Sequence, residues 1–166
     1  MKYILIFIIS SLVTVLFANE LKTVDTVDLN KYLGKWYEIG RYPAPFQKDC
    51  YSSTATYTLN RDGSITVLNE CRKGGVDGKY KSVKGKAYVV DKKTNAKLKV
   101  SFFWPFYGKY WIIDLDKDYR YAVVSEPSRK YLWILSRTPK LDSILEEEVY
   151  NRLKINGYDT SKIIKM

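Results

Sequence analysis

Apolar and polar residues alternate with a period of two along most of this chain, a pattern that no helix can use to bury one face. Ala55, Tyr57 and Leu59 stand against Thr54, Thr56 and Thr58, and Leu98, Val100 and Phe102 against Lys97, Lys99 and Ser101. Each such run reads as a strand with one face for a core and one for water. Turn chemistry separates the runs at short intervals, in "RDG", "GGVDG", "DKKTN", "WPFYG", "DLDKDY" and "EPSRK". The spacing predicts about eight strands, near residues 36–42, 51–60, 64–72, 79–90, 96–103, 109–115, 120–125 and 131–137. Sequential antiparallel strands with short connections form an up-and-down meander, which removes its exposed edges by closing on itself.

One segment departs from that period. "KLDSILEEEVYNRLKING" carries Leu141, Ile144, Leu145, Val149, Leu153 and Ile155 at mostly helical spacing, with acids early, bases late and Gly157 as a stop. A helix of this kind must lay its apolar face against the outside of the sheet. Ile163 and Ile164 follow as candidates for a short last strand. The fold class expected is therefore all-β, an eight-stranded antiparallel up-and-down barrel with one C-terminal helix packed on its outside.

The N-terminus, "MKYILIFIISSLVTVLFANE", places one lysine ahead of an apolar stretch that runs to Ala18. That is the layout of a secretory signal, residues 1–18, cut after Ala18. A membrane anchor is the competing reading, but Ser10, Ser11 and Thr14 dilute the stretch and no positive cluster follows it. No cysteine adjoins the cut to carry a lipid. The expectation is an exported protein, periplasmic or secreted, with residues 19–166 forming one domain.

Two cysteines, Cys50 and Cys71, flank the hairpin around "NRDGS". An even count in an exported chain argues for a disulfide, and the pair lacks the Cys-x-x-Cys spacing of a redox site. The formal charge of +10, which falls to +9 without Lys2, raises nucleic acid as a partner. The lysines of "KYKSVKGK", at 79, 81, 84 and 86, read instead as the wet face of a strand carrying Val83, Ala87 and Val89. No nucleic-acid role is assigned, while a peripheral contact with anionic membranes is compatible with the charge.

Gly34-Lys35-Trp36 ahead of the first strand, the eight runs, the single late helix and "LWILSR" ending in Arg137 together resemble a lipocalin. "GKWYEIGRYP", "ATYTL", "KVSFFWPFYGKYW" and "YLWILSRTP" are most similar to the bacterial lipocalin and apolipoprotein D branch. The resemblance implies that Trp36 plugs the closed base of the barrel, that Arg137 stacks on it, and that Gly34 permits the tight entry. It also implies a small hydrophobic ligand in the barrel. The family's Thr-Asp-Tyr motif is altered here, Asp116 and Tyr119 of "LDKDYRY" standing in with wider spacing.

Parity then assigns a lining. If Trp36 points inward, so do Glu38 and Gly40; if Arg137 does, so do Leu135, Trp133 and Tyr131. The same rule places Ala55, Tyr57, Leu59, Ile65, Val67, Val83, Ala87, Val89, Leu98, Val100, Phe102, Tyr110 and Ile112 inside. Small residues at Gly40, Ala55, Gly85, Ala87 and Ala122 argue for space within the barrel rather than a filled core. Such a cup suits a fatty acid or lysophospholipid. Phe46, Trp104 and Phe106 are placed at its mouth, with Arg41, Tyr42, Lys48, Tyr107, Lys109 and Tyr110 near the ligand head.

Asp114, Asp116 and Asp118 alternate, but Tyr119 and Ser125 stand where a calcium loop needs glycine and glutamate, so the segment reads as a charged turn and no metal is assigned. The chain has no histidine. That removes the usual general base, the Ser-His-Asp arrangement and most zinc sites. Carriage of a lipid without catalysis or cofactor is the leading reading. A lipid-modifying enzyme on the same barrel, a barrel scaffold for protein interaction, and a homodimer are the alternatives.

Overall fold

The computed structural model describes residues 20–166; the predicted signal segment and its cut lie outside the described residues. Eight antiparallel strands follow one another, β1 Gly34–Arg41, β2 Cys50–Leu59, β3 Ile65–Lys73, β4 Lys79–Val89, β5 Lys97–Phe103, β6 Phe106–Leu115, β7 Tyr121–Ser125 and β8 Leu132–Ser136. Each pairs with the next, and β1 pairs with both β8 and β2, closing the barrel. A four-residue helix, α1, Leu29–Tyr32, precedes β1. The long helix α2, Ser143–Ile155, follows β8, and a two-residue strand β9, Ile164–Lys165, ends the chain.

The observed strands match the predicted runs closely, with one instructive difference at β6. The turn there is only Trp104-Pro105, so Phe106, Tyr107 and Gly108 already belong to the strand.

Two apolar clusters lie on opposite faces of the sheet. Trp36, Ala55, Tyr57, Ile65, Val67, Leu98, Ile112, Ala122, Val124 and Leu135 fill the lower barrel. Tyr121, Val123, Leu132, Ile134, Val149 and Leu153 pack between β7, β8 and α2 outside it. This explains why "YAVVS" and "LWILS" are apolar on both faces, since each must cover two cores. Asp142 caps α2 through its carboxylate, which accepts from the amides of Ile144 and Leu145. Val149 and Leu153 are its buried anchors. Ile144 and Ile155, assigned to the apolar face by spacing, are instead 70% and 84% exposed, because α2 touches the barrel along a narrower stripe than the sequence suggested.

Register shifts interrupt four strand pairings, β1 with β8, β2 with β3, β5 with β6 and β6 with β7, and change which way side chains point. Glu38 opposes Leu135 and Gly40 opposes Ile134, so Ile39 is an extra residue in β1. Likewise Ile113 is extra in β6, between Ile112 opposite Val124 and Asp114 opposite Val123. β9 pairs with Gly40 and Arg41, beyond the stretch of β1 that pairs with β2, and Lys165 binds Glu146 of α2 at 2.7 Å. The Cys50–Cys71 disulfide is formed, with the Cα atoms 5.5 Å apart.

Candidate functional site

The barrel has a sealed end and an open one, and the seal is built from five residues. Asp28 caps α1 by accepting from Asn30 and Lys31 amides, which sets the short helix across the base. Trp36 is completely buried above it and donates its indole N–H to the Tyr32 carbonyl at 2.8 Å. The Arg137 guanidinium lies 3.7 Å from the centre of the Trp36 ring and donates to the carbonyls of Lys35 and Lys31. Gly34 has φ of +89° beside Arg137, a conformation that a side chain would strain. Gly34, Trp36 and Arg137 therefore meet at this end, the arrangement the family resemblance implies. Tyr32 was missed, since a single turn of helix leaves no periodicity to read; its one signal is Asp28 ahead of Leu29.

Above the base the wall is apolar. Ala55, Tyr57, Ile65, Val67, Ala87, Leu98, Ile112 and Leu135 are buried in the inner cluster, with Val89, Val100, Phe102, Tyr110 and Trp133 packed against it. Those five are only partly buried although they face inward; of them Val100 and Trp133 stand toward the mouth and Val89 and Tyr110 toward the base. Val83 faces inward near the rim and is 40% exposed. Leu59 is not part of the wall: it ends β2 at the base and is 45% exposed.

The bulge at Ile39 overturns the inward placement of Gly40. Gly40 faces outward, where a side chain would meet Ile163, Ile134 and Tyr150, while Arg41 turns inward and is 4% exposed. Gly85 leaves no free volume either, since the Phe102 ring lies over it, 2.7 Å from where a Cβ would stand. Tyr42, expected near the ligand head, packs outside and donates to the Asp159 carbonyl. By register Lys79 and Lys81 fall on the Val83 face of β4, not the wet face assigned to them.

Arg41 is part of a polar latch near the mouth. Its guanidinium binds Glu38 at 2.6 Å, the carbonyls of Gln47 and Cys50, and the Met166 sulfur. Gln47 donates to Glu38 and accepts from the Trp133 indole at 2.7 Å. Phe46, one residue earlier, packs against Tyr131 and Trp133. The connection between β1 and β2 is thereby fastened to the wall. Burial pushes the Glu38 carboxyl above its ordinary pKa, against the opposing pull of Arg41 and the two hydrogen bonds. Gln47 and Met166 carried no sequence signal, because their roles depend on contacts across the barrel.

Connections alternate between ends in a meander, so those after β1, β3, β5 and β7 surround the mouth. Phe46, Val76 and Trp104 stand on three of them and Phe106 opens β6 beside Trp104; they are 67%, 67%, 83% and 77% exposed in the order Phe46, Val76, Trp104, Phe106. At the base, the turns carry Arg61 and Asp62, Asp91 to Lys93, and Asp116 to Asp118 instead. Asp114 binds Arg152 of α2 and Asp116 binds Arg120, so those carboxylates serve separate ion pairs.

Deep in the cup three phenols meet. Tyr110 Oη lies 2.7 Å from Tyr32 Oη and 2.9 Å from Tyr57 Oη. Tyr110, expected near the ligand head, thus stands at the floor. Desolvation raises all three, Tyr57 to about 12, and keeps them neutral.

A Lipocalin-like domain model matches residues 27–166. The outer membrane lipoprotein Blc of Vibrio cholerae is 42% identical over 147 residues, 88% of this chain and 85% of that protein. Apolipoprotein D of Mus musculus is 36% identical over 149 residues, 84% of this chain and 76% of that protein. Insecticyanin from the tobacco hornworm Manduca sexta superposes with a TM-score of 0.70 at 25% identity, covering 87% of this chain and 82% of its own. With its barrel closed, its base sealed by Trp36 and Arg137, and nearly its whole described length matched, this chain belongs to the lipocalin family.

Proposed function

We propose that this protein carries a single-chain lipid, a fatty acid or lysophospholipid, in the cup, without catalysing a reaction on it. The observation that supports this most is the graded burial of one continuous apolar wall: Ile65, Ala87 and Ile112 are buried below, while Val83, Val100 and Trp133 remain reachable above. A filled core would bury both halves. Burial of an acyl chain there contributes about 25 cal/mol per Å². Glu38, Ala55, Tyr57, Val67, Val89, Leu98, Phe102, Tyr131 and Leu135 complete the lining in this reading, and Lys79 and Lys81 face an anionic head.

The exposed aromatic rim beside lysines suits transient docking on an anionic membrane, from which a lipid enters the cup mouth first. Export is the location that fits the bridged cysteines and the apolar N-terminus. The relative named above as an outer membrane lipoprotein is consistent with it, although Cys50 and Cys71 are both consumed by the bridge.

Native mass spectrometry of the purified protein, with lipid extraction and tryptophan-fluorescence titration, tests this reading. Saturable binding of a fatty acid or lysophospholipid, abolished by Ala55→Phe, is the expected result. Absence of any saturable response sinks it and favours the protein-interaction scaffold.

A further inference from the structure

The three phenols at the cup floor hold one more proton than they can share. Each hydroxyl has a single proton to donate. Only two contacts link them, Tyr32 to Tyr110 and Tyr57 to Tyr110, and among the described residues none of the three hydroxyls has another hydrogen-bond partner. Whichever way the bonds run, two protons are used and the third has no protein acceptor. Tyr110 packs against the inner apolar cluster and is itself only partly buried, so the cluster belongs to the inner wall of the barrel.

We infer that the floor of the cup is a hydrogen-bonding subsite for an uncharged oxygen, a hydroxyl or carbonyl, at the leading end of the bound chain. This rests on the carrier reading and narrows its cargo to oxygenated lipids. A purely apolar chain end would leave a buried donor unpaired, which is costly. A carboxylate is the wrong partner. Arg137, the cation that acts on Tyr32, is stacked on Trp36 and donates to the Lys31 and Lys35 carbonyls. Glu38 adds negative potential near Tyr57. A neutral hydroxyl can accept the spare proton and return its own to a phenol lone pair.

Phe106 at the rim and Tyr110 at the floor are four residues apart on β6, about 13 Å along the strand. Dodecanoic acid and 12-hydroxydodecanoic acid span that depth and differ only at the buried end. Both are titrated by tryptophan fluorescence into the wild type and into a Tyr57→Phe/Tyr110→Phe variant, whose folding is checked by circular dichroism. The hydroxy acid is expected to bind the wild type at least as tightly as the plain acid. In the variant the ratio of hydroxy-acid to plain-acid affinity is expected to fall about tenfold or more, the loss typical of an unpaired buried polar group. If the plain acid is preferred about tenfold by the wild type, the floor subsite is wrong while the carrier reading stands. That wild-type ratio decides the matter even if the double variant does not fold. If neither acid binds the wild type, the carrier reading fails and the subsite with it.

Discussion

Replacing Arg137 with alanine removes three interactions that together lock the sealed end. The guanidinium stacks 3.7 Å from the Trp36 ring centre and donates to the backbone of α1 through Lys31 and of β1 through Lys35. A cation-π contact in this partly desolvated position contributes about 1 kcal/mol. Each charge-assisted bond to a carbonyl adds about 1 kcal/mol once solvent screening of the half-buried guanidinium is discounted. The variant should therefore lose about 3 kcal/mol, and for a domain of this size each kcal/mol moves Tm by about 3 °C. Thermal unfolding followed by circular dichroism, with the disulfide intact, should show Tm lowered by about 9 °C. Arg137→Lys keeps the charge but loses the planar fork, so it should recover less than half of the loss. A Tm within about 2 °C of wild type for Arg137→Ala would refute the reasoning. Full recovery by lysine would show that charge alone, and not stacking with paired donors, holds the base.

Two further outcomes follow from residues near the mouth. Cys50 and Cys71 are 21 positions apart, so Cys50→Ser/Cys71→Ser should cost about 3 kcal/mol by the chain-entropy model, measured by urea unfolding; an unchanged midpoint would contradict it. Because the folded-state pKa of Glu38 is raised by desolvation, the folded protein binds that proton more readily than the unfolded chain. Its contribution to stability is then most favourable below the ordinary carboxylate pKa and declines as pH rises through the raised value. Glu38→Gln should accordingly leave stability at pH 7 unchanged or higher, and its advantage over wild type should vanish on acidification. A loss of about 3 kcal/mol at pH 7, the usual cost of orphaning a buried partner, would show that the Arg41 ion pair outweighs the burial.

The pattern of the chain alone pointed to the strands, the closed meander, the outer helix and the bridge between Cys50 and Cys71, while the meeting of Trp36 with Arg137 came from the family resemblance. Those features are local, or rest on side chains that have few alternatives: a period of two needs only a strand, and two cysteines have only each other. Tertiary structure decided what the lumen presents. A bulge adds a residue because neighbouring strands demand it, so nothing within β1 reveals that Ile39 sends Gly40 out and Arg41 in. Parity fixes a side chain's face but not its depth, which is why Leu59 belongs to the base, Tyr110 to the floor and Val83 to the rim. Gln47, Tyr32 and Met166 acquire their roles from partners 86, 78 and 125 positions away, respectively, through contacts that exist only once the barrel has closed.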